Sequence, residues 1–155
     1  MRSILIVAMT AVALAALTPG SAGGSSPARA SGSGHIADGP RRTFALTAVQ
    51  RSDGTATGQA QLYARSFPAK VHMKVTCLRV EGVIAYVSGF NTKADPDVFE
   101  GIWAIFAVQD NGEGAGAPPD RITQLHPAAD QGPGACMTES PSDWMDVQDG
   151  NIQVG

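Results

Sequence analysis

The side chains best suited to chemistry lie in one short stretch, VQDNGEGAGAPPDRI, at positions 108–122. Four oxygen-bearing side chains crowd there around glycines and a proline pair: Asp110, Asn111, Glu113 and Asp120. Calcium prefers six to eight oxygen ligands, and glycines let a chain fold closely around an ion. The stretch is therefore a candidate calcium site, although its spacing differs from the helix-loop-helix calcium pattern.

The same residues also have an interpretation that needs no ion. Asp110-Asn111-Gly112 is typical of a turn that requires positive φ, which asparagine and glycine tolerate. Glu113 is then solvated, and Asp120 forms a local ion pair with Arg121. The sequence favours this turn between two strands and keeps the calcium site as the alternative.

Other candidate sites are weaker. Asp95, Asp97 and Glu100 would form an acidic rim only if their loop met the 110–120 loop, and a simple meander puts those loops at opposite ends of the strand between them. The histidines at 35, 72 and 126 lack the spacing of a metal pair. There is no Gly-x-Ser-x-Gly motif and no glycine-rich phosphate loop that opens a helix.

Aromatic side chains offer a further hypothesis. Tyr86 and Trp103, with other strand aromatics, would line the mouth of a barrel and stack on a small-molecule or glycan ligand. The alternative is that they belong to the core or form cross-strand pairs.

The elements that would position these residues begin after an export signal. A basic start at Met1-Arg2 precedes the apolar run ILIVAMTAVALAAL at 4–17, which is too short to span a bilayer and is followed by Pro19-Gly20. Cleavage fits after Ala22, which we prefer, or after Ala30. We predict a signal peptide at 1–22, a flexible Gly/Ser/Ala/Pro-rich leader at 23–34, a single domain at 35–155, and no membrane insertion after cleavage.

The two cysteines, Cys77 and Cys136, predict one disulfide in an exported chain, with a free nucleophilic thiol as the alternative. The formal net charge of −3 and the lack of basic runs argue against nucleic acid as a partner.

Alternating patterns predict an all-β domain. We expect Phe44, Leu46 and Ala48 on one face of a strand, and Val71, Met73, Val75 and Cys77 on the buried face of another. An Asp-Gly turn joins the first two strands, and GIWAIFAV at 101–108 is apolar on both faces, as in a strand covered on both sides. The predicted strands are TFALTAV (43–49), TGQAQLY (57–63), KVHMKVTCL (70–78), VIAYVSGF (83–90), GIWAIFAV (101–108), RITQL (121–125) and NIQV (151–154).

NIQV is expected to close the fold by pairing with residues 35 and 36, and 142–147 is expected to form one helical turn. Seven or eight short strands at hairpin spacing predict a small antiparallel meander barrel, with a two-sheet sandwich as the alternative.

Several stretches of the chain resemble a family of small secreted bacterial all-β proteins of unknown function. The resemblance rests on KVHMKVTCL at 70–78 and on DNGEG and PPD within 108–122, and it covers nearly the whole region after the leader. It implies an exported β domain and no particular activity. From residues and resemblance together we expect a secreted, non-enzymatic binding or structural module, with a calcium-stabilised module or a small barrel enzyme of the cyclase or isomerase type as alternatives.

Overall fold

The computed structural model describes residues 26–36, 42–64 and 69–155, so the predicted signal peptide lies outside the described residues. Within these ranges nine strands form one sheet, with two short 3-10 turns at Asp97–Phe99 and Ala135–Met137. No helix in the described part of the chain is long and apolar enough to cross a membrane. The strands are β1 (Arg29–Ile36), β2 (Arg42–Gln50), β3 (Ala56–Ala64), β4 (Ala69–Glu81), β5 (Ile84–Asp95), β6 (Trp103–Gln109), β7 (Arg121–Ile122), β8 (His126–Pro127) and β9 (Met145–Val154).

The sheet closes on itself as an antiparallel barrel. Each strand from β1 to β6 pairs with the next, β6 pairs with β7, β7 with β9, and β9 returns to β1. The short β8 pairs only with β6, next to the stretch of β6 that pairs with β7. The closed wall therefore consists of the other eight strands. The prediction of an all-β meander barrel is confirmed.

Alternation along the strands fills the barrel interior. Phe44, Leu46 and Ala48 share the inner face of β2, as predicted, and belong to one buried cluster to which all eight wall strands contribute. Phe106 of β6 and Met73 of β4 are almost fully buried at its centre. The middle of the barrel is therefore a packed core.

Strand β6 is covered on both sides, as its apolar sequence predicts. Ala104, Phe106 and Val108 face the interior, whereas Ile105 and Ala107 face a second buried cluster on the outer surface. This outer cluster lies beneath residues 126–144, which we call the strap, and the Cys77–Cys136 disulfide ties the strap to β4. The predicted disulfide is confirmed.

A β-bulge decides which way Cys77 points. Val75 pairs with Gly89 and Cys77 pairs with Ser88, so Thr76 is an extra residue in β4. A bulge places two successive side chains on the same side of a strand. Cys77 is buried as predicted, but it joins the outer cluster and not the face of Val75, where strict alternation had placed it.

The predicted flexible leader overlaps the first strand. Residues 29–34 belong to β1, which pairs with both β2 and β9, so this part of the prediction is wrong. A Cβ on Gly32 would lie 2.6 Å from the Asn151 carbonyl oxygen, and one on Gly34 would lie 2.6 Å from that of Asp149. The small residues here permit close contact with β9, and composition alone suggested flexibility.

Strand β9 also differs from its prediction. It begins at Met145, so the expected helical turn at 142–147 is wrong, because Met145 and Val147 alternate into the barrel interior. Its pairing with β1 is confirmed, but with another register: His35 and Ile36 pair with Asp149 and Val147, and Asn151 pairs with Ser33.

Candidate functional site

The two ends of the barrel carry different chemistry. At one end β2 begins, β3 ends and β9 begins; we call this end the mouth. The 110–120 loop lies at the opposite end, between β6 and β7. As expected from the meander, the loop at 95–100 and the loop at 110–120 flank opposite ends of β6, so they do not form a shared acidic rim.

The carboxylates of the 110–120 loop bind the backbone of β9. Asp120 is buried and accepts hydrogen bonds from the Asn111 N–H (2.8 Å) and the Ile152 N–H (2.7 Å). Asp110 accepts from the Gly112 N–H (2.9 Å) and the Val154 N–H (3.1 Å). Because β7 is only two residues long, these N–H groups of β9 lie past its end, and carboxylates take the place of strand carbonyls.

The remaining loop side chains complete the same docking surface. The Asn111 amide donates to the Pro119 carbonyl (2.6 Å), and Glu113 accepts from the side-chain amides of Asn151 (3.0 Å) and Gln153 (3.3 Å). In the predicted turn at Asp110-Asn111-Gly112, the residue with positive φ is Gly112, at +83°.

The predicted local ion pair between Asp120 and Arg121 is wrong. Arg121 lies 3.4 Å from the Asp146 carboxylate on β9, because the Asp120 side chain turns inward to the backbone of β9.

The structure thus brings Asp110 and Asp120 together on β9, with Asn111 beside them and Glu113 on side chains of the same stretch of the strand. In the described ranges, no group of three or more His, Cys, Asp or Glu side chains is arranged to hold a metal ion. Calcium binding by this loop stays a prediction, while the hydrogen bonds give its carboxylates a structural role.

The aromatic candidates lie outside the barrel. Tyr86 and Trp103 belong to the outer cluster beneath the strap, and neither lines the mouth. The Arg79 guanidinium stacks 4.0 Å from the centre of the Tyr86 ring, and Trp103 packs edge-on against Phe90, with ring centres 5.3 Å apart. Ligand binding by Tyr86 and Trp103 stays a prediction, and the contacts of both rings are those of packed aromatics.

A cavity of about 330 Å³ opens at the mouth, above the packed core. Most of its walls are apolar, with Tyr63, Thr43, Thr123 and Gln124 adding polar groups. Asp95, Asp97 and Glu100 lie in the loop beside it but do not line it. The apolar walls are supplied by Ile36, Leu62, Ala64, Ala69, Val71, Phe99, Leu125 and Met145.

Of the residues that the structure describes, Arg42 is the cation that lines this cavity. Arg42 is the first residue of β2 and lines the cavity, on the same inward row as Phe44 and Leu46. Its Nη1 donates to the Met145 sulfur at 3.4 Å, and its Nε is buried without a hydrogen-bond partner. Within the described residues no carboxylate pairs with it, whereas Arg79 and Arg121 each contact a carboxylate.

Arg42 was missed because the predicted strand began one residue later, at Thr43. The alternation of Phe44, Leu46 and Ala48 extends back to position 42, which places an arginine at the inward end of the row. That signal was present, but it becomes meaningful only once β2 is known to begin at an open mouth.

The features that bear on function are therefore the mouth, with its half-buried guanidinium, and the disulfide, which is consistent with an oxidising, extracellular compartment. No family model, curated protein or solved structure matches the chain.

Proposed function

We propose that this chain is an exported, non-enzymatic binding module that holds a small apolar ligand in the mouth of its barrel. The observation that carries the proposal is the cavity of about 330 Å³ with mainly apolar walls. Small-molecule sites are concave, mostly apolar and equipped with a few polar groups that orient the ligand, and the mouths of β-barrels are a frequent location. The signal-peptide pattern at 1–22 and the disulfide support export.

The packed interior beneath the cavity supports binding at this place. Phe106, Met73 and Ile152 fill the middle of the barrel, so the walls of the mouth rest on rigid strands. A preformed site loses less conformational entropy when a ligand binds than a site that must first become ordered.

The chemistry of the walls favours binding over the cyclase or isomerase alternative. The ionisable side chains that line the cavity, among the residues described, are Arg42 and Tyr63. A guanidinium stays protonated at neutral pH, so it orients and neutralises an anion but does not take up a proton.

A neutral fluorescent probe tests the proposal. N-phenyl-1-naphthylamine brightens in apolar surroundings, and we expect saturable binding to the oxidised protein. Ala64 lines the cavity, so Ala64→Phe should fill part of it and weaken probe binding by roughly tenfold or more. Ala45→Phe introduces the same side chain at an exposed position of β2 and should leave the affinity unchanged.

The proposal is overturned if the folded wild-type protein shows no saturable signal. It is also overturned if Ala64→Phe and Ala45→Phe bind the probe as well as the wild type, because the probe then lies elsewhere.

A further inference from the structure

We infer that the mouth selects a small amphipathic acid, an apolar body with one terminal carboxylate, and that Arg42 is the counter-ion of that carboxylate. This inference rests on the proposed function and specifies the ligand of the same cavity.

The first support is the position of Arg42. It occupies the inward row of β2, where the next three residues of the row are apolar and buried: Phe44, Leu46 and Ala48. Burying a guanidinium in line with apolar side chains costs free energy unless its N–H donors have hydrogen-bond partners. An arginine without a ligand role would be expected on the outward row, where the exposed Ala45 and Thr47 lie.

The second support is that its donors are poorly satisfied within the protein. A guanidinium has five N–H donors, and the described structure gives Arg42 one contact, the weakly accepting Met145 sulfur at 3.4 Å from Nη1. Its Nε is buried and has no hydrogen-bond partner. By contrast, Arg79 donates to the Cys136 and Glu139 carbonyls and to Glu81, and stacks on Tyr86.

The third support is charge complementarity inside an apolar space. Among the described residues no carboxylate lines the cavity, so none of them neutralises the charge of Arg42 there. A carboxylate oxygen pair matches the planar fork of a guanidinium, and such charge-assisted bonds are stronger where water is excluded. Leu62, Val71 and Leu125 would contact the apolar body.

The size of the cavity limits the ligand class. With about 30 Å³ for each water-sized group, a space of about 330 Å³ encloses roughly ten non-hydrogen atoms, so a larger molecule such as N-phenyl-1-naphthylamine extends out through the open mouth. A free medium-chain or single-ring acid fits this space, whereas a two-chain lipid does not. Decanoate is therefore a suitable probe.

The experiment measures displacement of N-phenyl-1-naphthylamine at neutral pH by three ligands of equal chain length: decanoate, 1-decanol and decylamine. We expect the wild type to prefer decanoate over decanol by roughly tenfold or more and to bind decylamine most weakly. Arg42→Gln should reduce the ratio of decanoate affinity to decanol affinity to about one, and Arg42→Lys should retain part of the preference. Arg51→Gln removes an exposed arginine at the opposite end of the barrel and should behave as the wild type.

The outcomes separate this inference from the proposed function. If neither the fluorescent probe nor any of the three ligands binds, the proposed function fails and this inference with it. If the fluorescent probe and decanol bind but decanoate has no advantage, or if folded Arg42→Gln keeps that advantage, only the acid selectivity is overturned. Should Arg42→Gln fail to fold, Arg42→Lys decides, because an undiminished preference for decanoate would contradict recognition by the arginine fork.

Discussion

At the scale of single residues, the Asp120 carboxylate accepts backbone N–H groups that a neighbouring strand would otherwise bind. It accepts backbone N–H groups from two parts of the chain, Asn111 and Ile152, while its own carbonyl accepts the Val147 N–H at 2.8 Å. Backbone donors that are buried without partners are costly, so this side chain satisfies a need that the short β7 leaves open.

We predict that Asp120→Ala lowers the free energy of unfolding by about 2–4 kcal/mol, since two N–H groups lose a charged acceptor. Denaturant unfolding measures the change. Asp149→Ala, which removes an exposed carboxylate from β9, should change the free energy of unfolding by less than about 0.5 kcal/mol. Equal stability of the two variants would contradict the structural role.

Thermal unfolding of the wild type and of Asp110→Ala tests the calcium alternative. A ligand at about 100 times its Kd stabilises the folded state by roughly 2.7 kcal/mol. If Asp110 and Asp120 only accept hydrogen bonds from the backbone, excess Ca²⁺ and then chelator should leave the melting temperature of the wild type unchanged. A shift that disappears in Asp110→Ala would instead make the loop a calcium site.

At the scale of elements, the strap is held to the outer face of the barrel by a disulfide and a few hydrogen bonds. The disulfide holds Cys136 to β4, the Cys136 N–H donates to the Ser88 hydroxyl at 3.1 Å, and Arg79 donates to the Cys136 and Glu139 carbonyls. Together they cover Ile105 and Ala107, which would otherwise expose the outer face of β6.

We predict that the double variant Cys77→Ala, Cys136→Ala is less stable by about 4 kcal/mol, from the entropy of closing a loop with a sequence separation of 59 residues. Thermal unfolding with and without reductant checks this. Reductant should lower the melting temperature of the wild type and leave that of the double variant unchanged. Probe binding at the mouth should persist in the folded double variant, because the strap covers the outer face of the barrel; a wild type insensitive to reductant would contradict the prediction.

At the scale of the whole molecule, closure of the barrel depends on its first strand. β1 is the link between β2 and β9, Ala30 is 1% exposed, and the backbone of Arg29 exchanges hydrogen bonds of 2.6 and 3.0 Å with Gly155. The two cleavage sites suggested by the sequence therefore differ in consequence, because cleavage after Ala30 removes Arg29 and Ala30 from the strand.

We predict that the exported protein begins at Gly23, as intact mass would show. We also expect a chain started at Ser31 to be less stable than one started at Gly23 by about 2–4 kcal/mol, from the lost backbone bonds and the buried methyl group. Denaturant unfolding of the two chains measures this difference. A natural N-terminus at Ser31, together with equal stability, would show that these contacts are dispensable.

The sequence by itself determined the class of fold, most of the strands and the disulfide. Alternation in β2 and β4, the Asp-Gly turn and the doubly apolar β6 are local patterns, and local patterns are set by the two-residue period of a strand. With only two cysteines, the pairing of Cys77 with Cys136 follows as soon as the chain is taken to be oxidised.

Only the tertiary structure decided which end of the barrel carries the cavity. It also showed that the small residues of β1 permit close packing. The bulge at Thr76, the close packing of Gly32 and Gly34 on β9, and the turning of Asp120 onto β9 all depend on partners far along the chain. Arg42 has the same origin as a candidate: its type and register are in the sequence, but its place in an apolar mouth exists only because barrel closure brings β1, β3, β4 and β9 around it.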